Sequence, residues 1–260
     1  MFSDRQLEDL RELQDLAIHF GTGFVIIGAS ALLCFIDDIG SFTADVDIVI
    51  ALDLEDFAAF SSHLLEAKWI QERRREHRWK GPRGSLVDIV PAGTKLRAAK
   101  QIIWPESQFV MSLVAFDHVF TSALSIQFAP KVKFKVAPPP VIALLKIVAY
   151  MEDPYRRAKD LLHLKSMFRS YEAKGDRLYC DEVFAAGLDF QSANAFLLGL
   201  DIGQLATADD RYIVRAFLDK HLDPYADELN AYDDMQEFKF QAQLQAFEKG
   251  ITPVAARNLA

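Results

Sequence analysis

The stretch Thr43-Ala44-Asp45-Val46-Asp47-Ile48-Val49-Ile50 is an apolar strand pattern that carries two aspartates two residues apart. Residues i and i+2 of a β-strand point to the same face, so the two carboxylates are expected to lie side by side. Like charges held this close repel each other unless a cation lies between them. The pair therefore predicts a divalent metal with oxygen ligands, typically Mg²⁺. A strand end with both carboxylates in solvent is the alternative.

The composition is that of an ordinary globular protein, with 51% hydrophobic and 25% charged residues among 260. The net charge of −8 argues against a protein that coats nucleic acid, although a local basic patch can still bind phosphates. The two cysteines, Cys34 and Cys180, lie far apart and indicate neither a disulfide framework nor a zinc knuckle. No signal-peptide pattern is visible, and charged residues interrupt the longest apolar runs. We therefore expect a cytoplasmic protein that does not enter the membrane.

Helix and strand patterns alternate through about the first 90 residues. Apolar residues recur at helical spacing over residues 3–20 and 54–66, and short apolar runs at 24–27 and 45–50 predict buried strands. Two more strands are predicted at 69–78 and 85–90, joined by a turn at 81–84. This alternation predicts an α/β (α+β) fold with a mixed sheet flanked by helices.

A run of prolines, Pro138, Pro139 and Pro140, marks the predicted domain boundary, because proline continues neither a helix nor an interior strand. Beyond it the pattern is almost entirely helical. The predicted domains are therefore an α/β domain at residues 1–137 and a helical C-terminal domain at residues 138–260.

Two further features stand in order around the aspartate pair. Gly28, before Ala29 and Ser30, follows a buried strand, lets the backbone approach a ligand closely and opens a helix whose N–H groups are expected to bind phosphate. Asp88 lies in another apolar strand and is expected to act as a third metal ligand or as a general base. The alternative for Asp88 is an ion pair with an arginine of the facing strand.

These segments resemble the nucleotidyltransferase superfamily of the DNA polymerase β type, whose pattern is a Gly-Gly/Ser turn, an Asp-x-Asp strand and a later third Asp. Within it the chain is most similar to the AbiEii-like toxins of type IV toxin–antitoxin systems. Their turn corresponds to Gly28-Ala29-Ser30-Ala31-Leu32 and their aspartate strand to residues 41–47, which include Thr43. Their helical lysine corresponds to Lys146, and their Arg-x-Lys-Asp segment to Arg157-Ala158-Lys159-Asp160.

The resemblance implies a nucleotidyltransferase-like catalytic domain, a helical domain, and transfer of a nucleoside monophosphate from an NTP to an acceptor hydroxyl. Mg²⁺, with Mn²⁺ as an alternative, is expected on Asp45, Asp47 and Asp88. The acceptor is expected to be tRNA or another RNA, and a cognate antitoxin is an expected partner. The residues expected to bind the nucleotide are Gly28, Ser30, Thr43 and Asp160, with Lys146 as a catalytic residue that offsets charge on the triphosphate.

The densest basic segment, residues 73–80, adds Arg78 and Lys80 to the expected nucleotide-binding residues, because both lie on one strand face and point toward Asp88. A solvated hairpin rim is the alternative for this segment, and an exposed helical position is the alternative for Lys146.

The chain departs from the AbiEii-like pattern at three positions: Ala29 replaces a glycine, Ser41 an arginine, and His163 an aspartate. Two other functions stay open. One is a small-molecule, antibiotic-type nucleotidyltransferase, and the other is an inactive relative that binds a nucleotide or a partner.

Overall fold

The computed structural model describes residues 2–40, 43–73, 75–222 and 234–252, and the side chains of 234–239 are not described. The chain forms two compact units. The first comprises Met1–Cys34 and Phe42–Pro138, and the second comprises Phe35–Ser41 and Pro139–Ala260. Ser41, where the sequence departs from the AbiEii-like pattern, lies outside the described residues.

The first unit is built on a mixed β-sheet. Its strands are β1 Phe24–Ile27, β2 Asp45–Ile50, β3 Ile70–Gln71, β4 Arg78–Lys80, β5 Leu86–Pro91, β6 Gln101–Ile103, β7 Val110–Ser112, β8 Leu124–Ala129 and β9 Val132–Val136. The strand order in the sheet is β3-β4-β5-β2-β1-β9-β8 among the described residues. The pairs β2–β5 and β1–β9 are parallel, and the other neighbours are antiparallel. A separate hairpin consists of β6 and β7.

Two of the helices that flank this sheet lie where the apolar spacing predicts them, at residues 3–20 and 54–66. Ser3 caps the first of them with a reciprocal capping box to Gln6, which satisfies N–H groups that the helix itself leaves open. The helices of the first unit are α1 Asp4–His19, α2 Gly28–Leu32, α3 Leu54–Glu66, α4 Thr94–Ala99 and α5 Phe116–Thr121. The central strand β1 is buried along its whole length, which places the core on both faces of the sheet.

The single strand predicted at residues 69–78 is wrong, since the segment forms two short strands, β3 and β4. Between them the backbone folds into turns, in which the N–H of Arg75 donates to Glu72 O and the N–H of Arg78 donates to Arg75 O at 3.2 and 2.8 Å. The strand predicted at 85–90 is present as β5. The turn predicted at 81–84 is also present, closed by a 2.9 Å bond from Gly84 N to Gly81 O.

The second unit is helical, and its first helix begins at Pro139, where the missing N–H of proline costs no hydrogen bond. Its core is formed by α6, α7, α9 and α11, and α9 and α11 cross so closely that a Cβ at Gly199 would overlap the carbonyl of Phe247. The helices are α6 Pro139–Glu152, α7 Ala158–Ser170, a 3-10 helix Asp176–Tyr179, α8 Asp181–Ala185, α9 Phe190–Leu205, α10 Ala208–Leu222 and α11 Asp234–Ile251.

The predicted fold class is confirmed: a mixed sheet flanked by helices precedes a helical C-terminal part, consistent with a nucleotidyltransferase fold. The domain limits of 1–137 and 138–260 stay predictions. None of the helices in the described part of the chain combines the length and the hydropathy that crossing a membrane requires.

Candidate functional site

Three neighbouring strands of the first unit bring the predicted carboxylates together. In the parallel ladder between β2 and β5, Asp47 lies directly opposite Asp88. In the antiparallel ladder between β1 and β2, Asp47 lies opposite Ile27, the last residue before Gly28. The carboxylate cluster, defined as Asp45, Asp47 and Asp88, therefore forms where β2 and β5 run beside the end of β1.

Gly28 fits tightly against this cluster. Its φ of +69° lies in the left-handed region that favours glycine. A Cβ at this position would overlap Oδ2 of Asp47 and would lie 2.9 Å from its Cγ. Glycine is therefore required both by the backbone conformation and by the position of the Asp47 carboxylate.

Ser30 and Thr43 both contact Asp45. The hydroxyl of Ser30 is buried and donates to the backbone carbonyl of Asp45 at 2.8 Å. Thr43 Oγ1 lies 3.0 Å from Asp45 Oδ1. These bonds hold the start of β2 in place. Helix α2 has only five residues, so its N-terminus by itself makes no phosphate site, and the predicted nucleotide contacts of Gly28, Ser30 and Thr43 stay predictions.

Arg78 bridges two members of the cluster. Its Nε and Nη2 donate to the two carboxylate oxygens of Asp88, each at 2.7 Å, and Nη2 also donates to Asp45 Oδ2 at 2.6 Å. The hydrogen bonds to Asp88 raise the pKa of the Arg78 guanidinium above its ordinary value. The charges of Asp88 and Asp45 raise it further, against the opposing effect of partial burial. The ion pair considered as the alternative for Asp88 is thus present.

The cluster brings three carboxylates together, and two of them contact the guanidinium of Arg78. Carboxylate oxygens are the hard donors that Mg²⁺ prefers. The oxygens of Asp45 and Asp88 converge on one cationic nitrogen, so these residues fit a cation, and here Arg78 supplies it. Among the described residues, no group of three or more His, Cys, Asp or Glu side chains is arranged to hold a metal ion.

Lys80 follows Arg78 by two residues on β4, and its side chain is exposed. Within the described part of the chain no carboxylate lies within ion-pair distance of it. Its predicted contact with a nucleotide stays a prediction.

Lys146 and Asp160 lie in the second unit, where they form an ion pair between α6 and α7. The Lys146 Nζ donates to Asp160 Oδ1 at 2.7 Å, and both residues are buried. The exposed position considered as the alternative for Lys146 is therefore wrong. His163, one turn after Asp160, lies with its Nδ1 3.9 Å from Asp160 Oδ1. Burial and the charge of Lys146 lower the pKa of His163 to about 4, so this imidazole is neutral near pH 7.

A cleft of about 480 Å³ in the second unit was not predicted from the sequence. One wall is a single face of α7 that carries Lys165 and Arg169, and the first turn of α9 contributes Phe190. Residues 162, 165, 166 and 169 recur at helical spacing along α7, and this was the only pattern in α7 that could have indicated the cleft. Any amphipathic helix shows the same spacing, so the pattern does not identify a cleft.

The chain matches no model of a protein family and no curated protein. Among solved structures, it is similar to an antigenic nucleotidyltransferase-like protein from Paracoccidioides brasiliensis, with 18% identity, 64% of this chain and 76% of that chain covered, and a TM-score of 0.42. The antibiotic-resistance factor ANT(2'')-Ia shows 12% identity, coverage of 64% and 85%, and a TM-score of 0.40. JHP933 from Helicobacter pylori shows 13% identity, coverage of 100% and 98%, and a TM-score of 0.38. With TM-scores below 0.5, these similarities carry no argument about the function of this chain.

Proposed function

We propose that this protein is a metal-dependent nucleotidyltransferase of the AbiEii-like type, which moves a nucleoside monophosphate from an NTP to an acceptor hydroxyl. The observation that supports this most is the convergence of Asp45 and Asp88 on one cationic nitrogen, with Asp47 directly opposite Asp88. Three carboxylates on adjacent strands repel each other, which destabilises a sheet that has only a structural role. A bound cation removes this repulsion, so the arrangement is typical of a cation-binding site.

The proposed roles follow the positions of the side chains. Mg²⁺, or Mn²⁺, held by Asp45, Asp47 and Asp88 would supply the positive charge that phosphoryl transfer needs. Where Asp88 is not a metal ligand, it takes the proton of the acceptor hydroxyl instead. Gly28, whose missing side chain leaves room for the Asp47 carboxylate, contacts the triphosphate through its backbone.

The other roles rest on the motif resemblance. Ser30, Thr43, Arg78, Lys80 and Asp160 contact the nucleotide, and Lys146 offsets charge on the triphosphate. On the same ground we propose tRNA or another RNA as the acceptor, a cytoplasmic location and a cognate antitoxin as partner.

A small-molecule acceptor is the second candidate, and one observation favours it. The whole chain has a net charge of −8. This charge attracts a cationic acceptor of the aminoglycoside kind more than it attracts a polyanion.

The test incubates the protein with each of the four labelled NTPs and Mg²⁺, once with total cellular RNA and once with a set of aminoglycosides. Label in the RNA fraction supports the first candidate, and label on an aminoglycoside supports the second. The double variant Asp45→Asn/Asp47→Asn should lose the label. The matched control Asp56→Asn, at an exposed aspartate of α3, should keep it. Label that is equal in the double variant, or absent with every NTP and acceptor, contradicts catalysis and favours an inactive binding relative.

A further inference from the structure

Arg78 turns the Nε and Nη2 edge of its guanidinium toward the carboxylate cluster. Both oxygens of Asp88 accept from the guanidinium, and the same Nη2 that reaches Asp88 also reaches Asp45. Bidentate pairs of this kind are stronger than single hydrogen bonds and fix the orientation of both partners. The side chains are only partly exposed, at 19% for Arg78 and 12% for Asp88, so water screens the contact weakly.

The backbone ladder determines this placement. Arg78 lies opposite Asp88 in the antiparallel pair β4–β5, and Asp88 lies opposite Asp47 in the parallel pair β5–β2. Side chains that lie directly opposite each other across a ladder are within contact distance whenever they share a face. Any folded sheet with this register therefore presents the guanidinium to the cluster.

A divalent metal and this guanidinium compete for the same carboxylates, since both are cations that bind Asp45 and Asp88. Mg²⁺ binds carboxylate oxygens at about 2.0–2.1 Å and requires nearly octahedral geometry around itself. The oxygens of Asp88 are already committed to Arg78, and a second cation close to the guanidinium is repelled by it. Arginine does not deprotonate in proteins, so a change of pH does not remove this repulsion. Only movement of the side chain removes it.

Glu72 offers the displaced side chain another partner. Its Oε2 lies 3.9 Å from Nε of Arg78, on a side chain that is about half exposed. The phosphates of an NTP are a second anionic partner for an arginine.

We propose that Arg78 occupies the cation position of the carboxylate cluster and competes with the divalent metal, so that metal binds well only after Arg78 has left Asp45 and Asp88. The inference rests on the metal site of the proposed function and assigns to Arg78 a regulatory role in it. The triphosphate of an incoming NTP draws Arg78 away and thereby couples metal binding to nucleotide binding. Without nucleotide, the cluster binds metal only weakly.

The experiment measures Mn²⁺ binding to the full chain in the absence of nucleotide, by electron paramagnetic resonance of the free ion. Arg78→Met keeps most of the side-chain volume and removes the charge, so it should bind Mn²⁺ at least about tenfold more tightly than the wild type, a gain equivalent to about 1.4 kcal/mol. Arg75→Met is the matched control, because Arg75 is exposed, lies on the same segment and contacts Glu72 but not the cluster. It should bind Mn²⁺ as the wild type does.

Equal or weaker Mn²⁺ binding by a folded Arg78→Met overturns the proposal, and so does an equal gain in Arg75→Met. If Arg78→Met does not fold, Glu72→Gln takes its place. This change removes the alternative partner of Arg78 and should weaken Mn²⁺ binding; unchanged or tighter binding overturns the proposal.

These outcomes are distinct from those of the transfer assay. Tighter Mn²⁺ binding without any labelled product supports the competition and contradicts the transferase. Labelled product with unchanged Mn²⁺ binding contradicts the competition alone.

Discussion

Each of the two units contains an ion pair between predicted site residues, and the two pairs differ in their exposure to solvent. In the first unit Arg78 contacts Asp45 and Asp88, and the Asp45 side chain remains 32% exposed. In the second unit Asp160 contacts Lys146 and lies 3.9 Å from Arg157, and the side chains of Lys146 and Asp160 are only 8% and 11% exposed. A closed pair has little capacity for another ion. A more open pair can accept a ligand, which is why the first pair is the better candidate for a functional site.

Removing Lys146 should have the largest effect on stability. Lys146→Met leaves the Asp160 carboxylate buried without its main partner, and breaking a buried pair in this way typically costs about 3–5 kcal/mol. Urea unfolding measures the loss. The double variant Lys146→Met/Asp160→Asn removes both charges and should recover most of the stability. A loss in the single variant no greater than in the double variant would show that Asp160 is satisfied without the lysine.

The burial of His163 beside Lys146 should make the stability of the protein depend on pH in the acid range. The folded pKa of about 4 is below the ordinary 6.5, so between these values the unfolded chain binds a proton that the folded chain does not. This contribution to stability is complete above about pH 6.5, falls as the pH decreases and is lost by about pH 4. The free energy of unfolding should fall by at most about 1.4 kcal/mol per pH unit. Between pH 6.5 and pH 5 this amounts to about 2 kcal/mol.

His163→Gln cannot titrate and should lack this slope. Comparing urea unfolding of the variant and the wild type at pH 7, 6 and 5 cancels the contribution of carboxylates that titrate in both. Parallel pH profiles for the two proteins would contradict the prediction.

The packing of Gly28 against Asp47 should give a smaller effect, in the first unit. Gly21 is the matched control, because it has nearly the same φ, +68° against +69°, but nothing within 4 Å of an added Cβ. Gly21→Ala should therefore report only the conformational strain, about 1 kcal/mol. Gly28→Ala should lose about 1 kcal/mol more, because the new methyl group also displaces the Asp47 carboxylate.

Thermal unfolding compares the two glycine variants, and Mn²⁺ binding in an Arg78→Met background shows whether the cluster is disturbed. Equal stability and equal Mn²⁺ binding in both variants would mean that Asp47 adjusts to the methyl group at no cost.

The sequence predicted the elements of the site better than the contacts between them. The apolar pattern of the sequence predicts the strand that carries Asp45 and Asp47 and the strand that carries Asp88. Such a pattern is a local property of the chain, so it can be recognised without knowing the fold. The bridge from Arg78 to Asp45 depends on the strand order β4-β5-β2, which local patterns do not determine. The sequence alone therefore predicts that Arg78 contacts a nucleotide, with an ion pair as the alternative for Asp88.

The same reasoning applies to Lys146. Its neighbours Leu144, Ile147 and Val148 are all buried, so α6 is apolar on most sides, and a lysine there requires a partner. That partner comes from the next helix. The split of the predicted strand at 69–78 has a different cause, since the turn at Glu72 and Arg75 contains no glycine or proline to signal it.

The parallel pairing of β2 with β5 also has a consequence for how the protein folds. Asp47 and Asp88 meet only after the chain between them, which contains α3 and the hairpin β3–β4, has closed a long loop. Contacts of this kind form slowly, because the entropy of loop closure is lost before any contact compensates for it. The unfolded chain therefore has no cation site, and any cation that binds the cluster stabilises the native state by mass action alone.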